Sequence, residues 1–74
     1  MQERDYRANF AAYLKQYIKD NNLSINQLAV AVELPRQTVT RYVNSERLVT
    51  VENLCKFADF FHEDLEVLLG RREY

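Results

Sequence analysis

The sequence predicts a small all-α domain, and three observations carry that expectation. Gly70 and Pro35 are the only glycine and proline in 74 residues, too few turn formers for a β-sandwich, a barrel or a run of hairpins. The apolar residues, 47% of the chain, recur at spacings of three and four, the period of a helix with one buried face. The polar residues between those stripes are Asn, Ser, Thr and Asp, which start and stop helices.

Taken in order, Phe10, Ala11, Leu14, Tyr17 and Ile18 form the stripe of a first helix over Arg7–Asn21, closed by Asn21 and Asn22. Ser24 with Gln27 three residues on has the spacing of a capping box, and Leu28, Ala29 and Val32 follow as the inner face of a short second helix. That helix must stop near Glu33 and Leu34, because Pro35 disfavours helical geometry in the residue before it and suits the first turn of a new helix. A third helix runs from Pro35 to Val43, with Val39, Tyr42 and Val43 inward and Arg36, Gln37, Thr40 and Arg41 outward. After a loop over Glu46–Val49, Thr50 caps a fourth helix with Val51, Leu54, Cys55, Phe57, Ala58 and Phe61 inside, broken at His62 and Glu63. Asp64 caps a last short helix through Leu65, Leu68 and Leu69, ended by Gly70.

These five helices read as one domain over residues 1–74, with no repeat and no linker. A chain of this size buries only about 60% of the surface it exposes when unfolded. Cys55 is alone, so no internal disulfide reinforces it. The N-terminal Met1, Gln2, Glu3, Arg4 and Asp5 have the wrong chemistry for a signal peptide, and no apolar run approaches a membrane span. A soluble, reducing, cytoplasmic setting is expected. The net charge of −1 gives no sign of a polyanionic partner, but the average hides a division. From Pro35 to Arg47 three arginines face one glutamate, whereas Glu52 to Glu66 carries five acids and one lysine.

Two short helices joined by three or four residues cannot pack antiparallel along their lengths, so the second and third must cross steeply as a helix-turn-helix. Ala29 permits close approach, Leu34 fills the elbow and Val39 returns to the same core, leaving the outer face of the third helix free. Here the sequence resembles the Cro/CI-type repressor domains of phages and bacteria, the lambda-repressor-like or XRE family. The resemblance runs without a gap from Leu23 to Leu69, with Leu23, Ser24, Leu28, Ala29, Val39, Leu54, Ala58, Leu65 and Leu68 standing where that family keeps its caps and core.

The resemblance implies a compact five-helix lambda-repressor-like fold that binds double-stranded DNA, the third helix entering the major groove and the second crossing the backbone. Carried over by position, Arg36, Gln37 and Arg41, with Thr40 beside them, are the implied base readers. Arginine pairs bidentately with guanine O6 and N7, and glutamine with adenine N6 and N7. Ser24, Asn26, Thr38, Asn44, Ser45 and Arg47 are the implied phosphate contacts, which fix register without reading sequence. One such helix reads few base pairs, so a homodimer on a palindromic operator is expected, acting as a transcriptional regulator and, by the resemblance, a repressor. Phe60, Val67, Leu69 and Tyr74 exceed what the core needs and are the candidates for the dimer surface; the other reading folds the tail back on the first helix.

Some positions depart from the family's pattern. Glu33 stands where the turn usually has glycine, so a left-handed backbone there would cost about 1 kcal/mol. Ile25 replaces a glutamine that reaches the phosphate backbone in many relatives, leaving that clamp missing or supplied by Asn26. His62 replaces a glycine at a helix end, and Glu63 an apolar residue. The last two alter packing more than DNA contact, but the net acidity and the missing glutamine at Ile25 support an alternative, a protein-interaction module on the same fold such as an antitoxin, antirepressor or co-regulator. Against it stand two arginines and a glutamine in reading positions.

Other chemistry has little support. Cys55 reads as a small buried hydrophobe rather than a nucleophile, and Tyr42 as core rather than a base-stacking ring. A lone His62 near Glu66 is a surface pair rather than a metal site. With no second histidine, no phosphate loop and no Cys/His spacing, no enzyme and no cofactor is expected.

Overall fold

The computed structural model describes residues 5–71. Its helices are α1 Tyr6–Asp20, α2 Ile25–Val32, α3 Arg36–Val43, α4 Val51–Phe61 and α5 Leu65–Leu68, with no strand among the described residues. Every expected helix is present, in order and within about two residues of its expected limits. The first begins slightly early because Asp5 caps it, its Oδ1 accepting from the Ala8 N–H at 3.1 Å. At the start of α2 the capping box forms as its spacing implied. The Gln27 N–H donates to Ser24 Oγ at 3.1 Å and the Ser24 N–H to Gln27 Oε1 at 2.8 Å. Thr50 caps α4 in the simpler way, accepting from the Asn53 N–H at 3.1 Å. Pro35 sits one position before α3 with φ −59° and ψ 142°, extended as the approach to a helix requires, and has no capping side chain.

All five helices end alike. The first or second residue past each helix is left-handed, at Asn22 (φ 53°), Glu33 (58°), Ser45 (61°), His62 (58°) and Gly70 (71°). In each case the next N–H reaches back to a carbonyl five residues earlier: Leu23 to Ile18, Leu34 to Ala29, Glu46 to Arg41, Glu63 to Ala58 and Arg71 to Glu66, at 2.8–3.1 Å. This is the long bond of the Schellman motif, which satisfies carbonyls the helix leaves open and turns the chain sharply. Only the last of the five is glycine, and a second constraint applies there. A Cβ on Gly70 would come within 2.8 Å of Asn9 Nδ2, and that amide donates to the Leu69 carbonyl at 3.0 Å, joining the end of α5 to α1.

The core gathers Phe10, Leu14, Leu28, Ala29, Val32, Val39, Tyr42, Val43, Val49, Leu54, Phe57, Ala58 and Leu68 from all five helices and the loop before α4. At its centre Phe10 meets Phe57 edge-on at 5.1 Å and Tyr42 at 5.9 Å, so rings from α1, α3 and α4 lock together. Such pairs add roughly 0.5–1.5 kcal/mol each beyond the area they bury. Tyr42 is core, as its spacing from Val39 implied, and its hydroxyl is not stranded: Asn53 Nδ2 donates to it at 2.8 Å. Among the described residues no buried side-chain polar atom lacks a partner. A second aromatic group, Tyr13, Tyr17, Phe60 and Phe61, closes the α1–α4 seam, with Tyr17 4.4 Å from Phe61.

Two expectations about α4 are corrected. Cys55 is exposed, not buried. The helix buries Leu54, Phe57 and Ala58, and a residue directly after Leu54 is turned about 100° away from that row. Val51 is 74% exposed: it shares Leu54's side of the helix, but as the first residue of α4 it overhangs the packed interior. Val49, in the loop before α4, is buried instead, at 8% exposure. Leu65, expected inside, is 36% exposed, while Leu68 in the same short helix is fully buried.

Candidate nucleic-acid interface

The geometry of α2 and α3 follows from the three residues between them. Val32 ends α2, Glu33 takes the left-handed conformation, and the Leu34 N–H closes on the Ala29 carbonyl at 3.0 Å. Pro35 then launches α3 in a new direction while Leu34 packs against the core. Two eight-residue helices thus meet through Ala29 and Val39, both at 2% exposure or less. Ala29's small side chain is what allows their backbones to come close.

On α3 the apolar and polar faces separate cleanly. Val39, Tyr42 and Val43 are buried. Arg36 and Gln37 are exposed, whereas Thr40 and Arg41 are half-buried. Arg36, Gln37 and Thr40 line one shallow concavity. The Thr40 hydroxyl donates to the Arg36 carbonyl one turn back, at 2.9 Å. The helix thereby offers two guanidinium groups, one carboxamide and one methyl-bearing side chain on one side, donors suited to the acceptor-rich edge of a nucleic-acid groove.

The residues expected to touch phosphates lie at the start of α2, on α3 and in the segment that follows α3. Asn26 is exposed at the second position of α2, and Ser24 is exposed just before it. Since the Ser24 oxygen already accepts the Gln27 N–H, its hydrogen stays available to an outside acceptor. Thr38 is half-buried, Ser45 holds the left-handed position after α3, and Arg47 is exposed in the following loop. The Asn44 amide donates weakly to Glu46 Oε2 at 3.3 Å.

The candidates for a dimer surface lie elsewhere. Phe60 meets Tyr17 edge-on at 6.0 Å and, with Ala31, Val32, Glu33, Lys56 and Asp59, lines a groove between α2 and α4. Val67 is half-buried, and Leu69 is packed against the core. Tyr74 lies outside the described residues. The most exposed apolar side chains are Val30, Val51 and Leu48, which periodicity had not singled out as surface. Among the described residues no group of three His, Cys, Asp or Glu side chains is placed to hold a metal ion. No described helix is long and apolar enough to cross a membrane.

Comparison with known proteins bears on the same elements. A family model described as helix-turn-helix matches residues 14–68, about three quarters of the chain. It runs from the middle of α1 through α5 and includes the whole α2–elbow–α3 unit. No curated protein and no solved structure matches significantly. With the capping box, the three-residue elbow and the two-faced α3 all inside the matched segment, the chain belongs to the Cro/CI-type helix-turn-helix family of DNA-binding transcription regulators.

Proposed function

We propose that the protein is a sequence-specific repressor that binds a palindromic operator as a homodimer, inserting α3 into the major groove of each half-site. The observation that carries this reading is the division of α3. Its inner residues Val39, Tyr42 and Val43 are fixed in the core, while Arg36, Gln37, Thr40 and Arg41 lie on its outward side. In this reading Arg36 and Arg41 donate to guanine and Gln37 pairs with adenine, each good bidentate pair contributing about 1–3 kcal/mol of discrimination. Ser24, Asn26, Thr38, Asn44, Ser45 and Arg47 hold the phosphates on either side.

Dimerisation supplies the length of sequence that one eight-residue helix cannot read. A two-fold pair places its helices on half-sites about 10 base pairs apart. Phe60, Val67, Leu69 and Tyr74 are the proposed contributors to that interface. Repression follows physically from occupancy, because a dimer covering a promoter excludes the transcription machinery. Low net charge fits such a regulator, since weak attraction to bulk DNA leaves more of the protein free for its operator.

Selection of bound duplexes from a random pool tests the proposal. Enrichment of an inverted repeat is expected, with the two arms about one helical turn apart. Enrichment of a single unrepeated arm would remove the dimer. No enrichment at low salt, combined with gel retardation unaffected by Arg36→Ala and Arg41→Ala, would turn the assignment toward a module whose main surface binds protein.

A further inference from the structure

We propose that Thr40 reads thymine through its methyl group and not through a hydrogen bond from its hydroxyl. The inference rests on the reading of α3 as the groove-entering helix and assigns one position of that helix a base and a mode of contact. Its basis is the bond from Thr40 Oγ1 to the Arg36 carbonyl at 2.9 Å. A hydroxyl has one hydrogen to donate, and here it is spent inside the helix. The acceptor atoms that dominate the major groove, guanine N7 and O6, adenine N7 and thymine O4, are therefore closed to this side chain unless it gives up an existing bond.

The same bond fixes the orientation of the side chain. Threonine is branched at Cβ, so holding Oγ1 against the preceding turn also sets χ1 and with it the methyl. The oxygen is drawn back toward the helix's own carbonyls, and the methyl is the group left to meet a ligand. Thr40 is half-buried and shares its concavity with Arg36 and Gln37. Those two neighbours supply hydrogen bonds, and in this reading the methyl is the apolar group that Thr40 adds to them. In the major groove the matching apolar group is the C5 methyl of thymine, which no other base carries.

The register agrees with this. Gln37 and Thr40 are neighbours on one helix face, about 4.5 Å apart along the axis. That is close to the rise of about 3.4 Å from one base pair to the next. A Gln37 side chain paired with adenine thus leaves Thr40 over the adjoining base pair.

The test begins with the site enriched from the random pool and replaces each of its thymines, one at a time, by deoxyuridine, which removes only the methyl. For the unmodified protein one thymine per half-site is expected to matter, its replacement weakening binding about three- to fivefold, the size expected for one methyl returned to water. Thr40→Val keeps a branched apolar side chain and is expected to retain that penalty. Thr40→Ser keeps the hydroxyl and is expected to bind the thymine and uracil duplexes equally. Far-UV circular dichroism confirms that both variants are folded, and the uracil series on the unmodified protein needs neither of them.

An enriched site in which no thymine responds overturns the assignment while leaving DNA reading intact. So does a uracil penalty that persists unchanged in Thr40→Ser. A Thr40→Val variant that loses affinity although uracil is silent assigns the contact to the hydroxyl oxygen, accepting from a cytosine or adenine amino group. If no site is enriched at all, the DNA-reading proposal fails first and this one falls with it.

Discussion

Glu33→Gly tests whether the elbow of the helix-turn-helix is strained. Glu33 has φ 58° and ψ 45°, a conformation that costs a residue with a side chain about 1–2 kcal/mol and glycine almost nothing. Against this, glycine has more freedom to lose on folding, worth about 0.5–1 kcal/mol. Glu33 is exposed, so its removal sacrifices no core packing. Its carboxylate also lies at the C-terminal end of α2, the wrong end of the helix dipole for a negative charge, and losing it adds a few tenths of a kcal/mol. The net is a gain of about 1 kcal/mol, which raises the melting temperature of a domain this size by about 4–8 °C.

Thermal unfolding followed by circular dichroism measures that shift, and two control variants separate its sources. Glu33→Gln removes only the charge and is expected to move the melting temperature by about 1–2 °C. Glu33→Ala keeps the left-handed penalty and removes the charge, so it should match Glu33→Gln. A melting temperature for Glu33→Gly that is unchanged or lower would refute the argument, because it would mean that the elbow carries no backbone strain for glycine to relieve.

Tyr42→Phe keeps the ring among Phe10 and Phe57 but takes the acceptor from Asn53 Nδ2; denaturant unfolding should show a loss of about 1 kcal/mol with an unchanged m-value. Gly70→Ala meets both the positive φ and the Asn9 side chain, so it should destabilise by about 1–2 kcal/mol, and unfolding of a Gly70→Ala, Asn9→Ala double variant should show part of that recovered. Arg41→Ala is expected to weaken binding to the selected site by about tenfold or more while leaving bulk DNA nearly unaffected; equal losses would make it a phosphate contact. Arg47→Ala should weaken all duplexes alike and make the salt dependence shallower by about one unit, read from titrations at several salt concentrations.

The helices were legible because their signals are local. A capping box at Ser24, a threonine cap at Thr50 and a proline before Arg36 each act within one turn of chain, and the three-and-four spacing of Phe10 with Leu14, Leu28 with Val32, and Leu54 with Phe57 and Ala58 declares the buried side. The elbow was legible too, because Glu33 lies one step past a periodic stripe and two before Pro35. What remained hidden depends on where an element ends relative to its neighbours. Val51 has the right spacing but overhangs the core, Val49 has no periodicity and is buried, and Cys55 falls just off the row it seemed to join. Within the candidate site the residue types of α3 were readable, but the bond from Thr40 to the Arg36 carbonyl was not. Threonine's hydroxyl has several local partners open to it, and the choice among them depends on the packing around the helix.

The eight residues of α3 amount to little more than two turns, well below the roughly 12–15 residues at which an isolated helix becomes even marginal in water. Detached from Phe10, Leu28 and Phe57 it would be coil, so the segment proposed to read DNA has no shape of its own to keep. Loosening the interior and losing the readout are then one event. Genetically, defects in regulation should map to Leu14 or Leu68 as readily as to Arg36. In the other direction, a bound operator should protect the entire domain from heat and proteolysis, by an amount that grows with the logarithm of its excess over the dissociation constant.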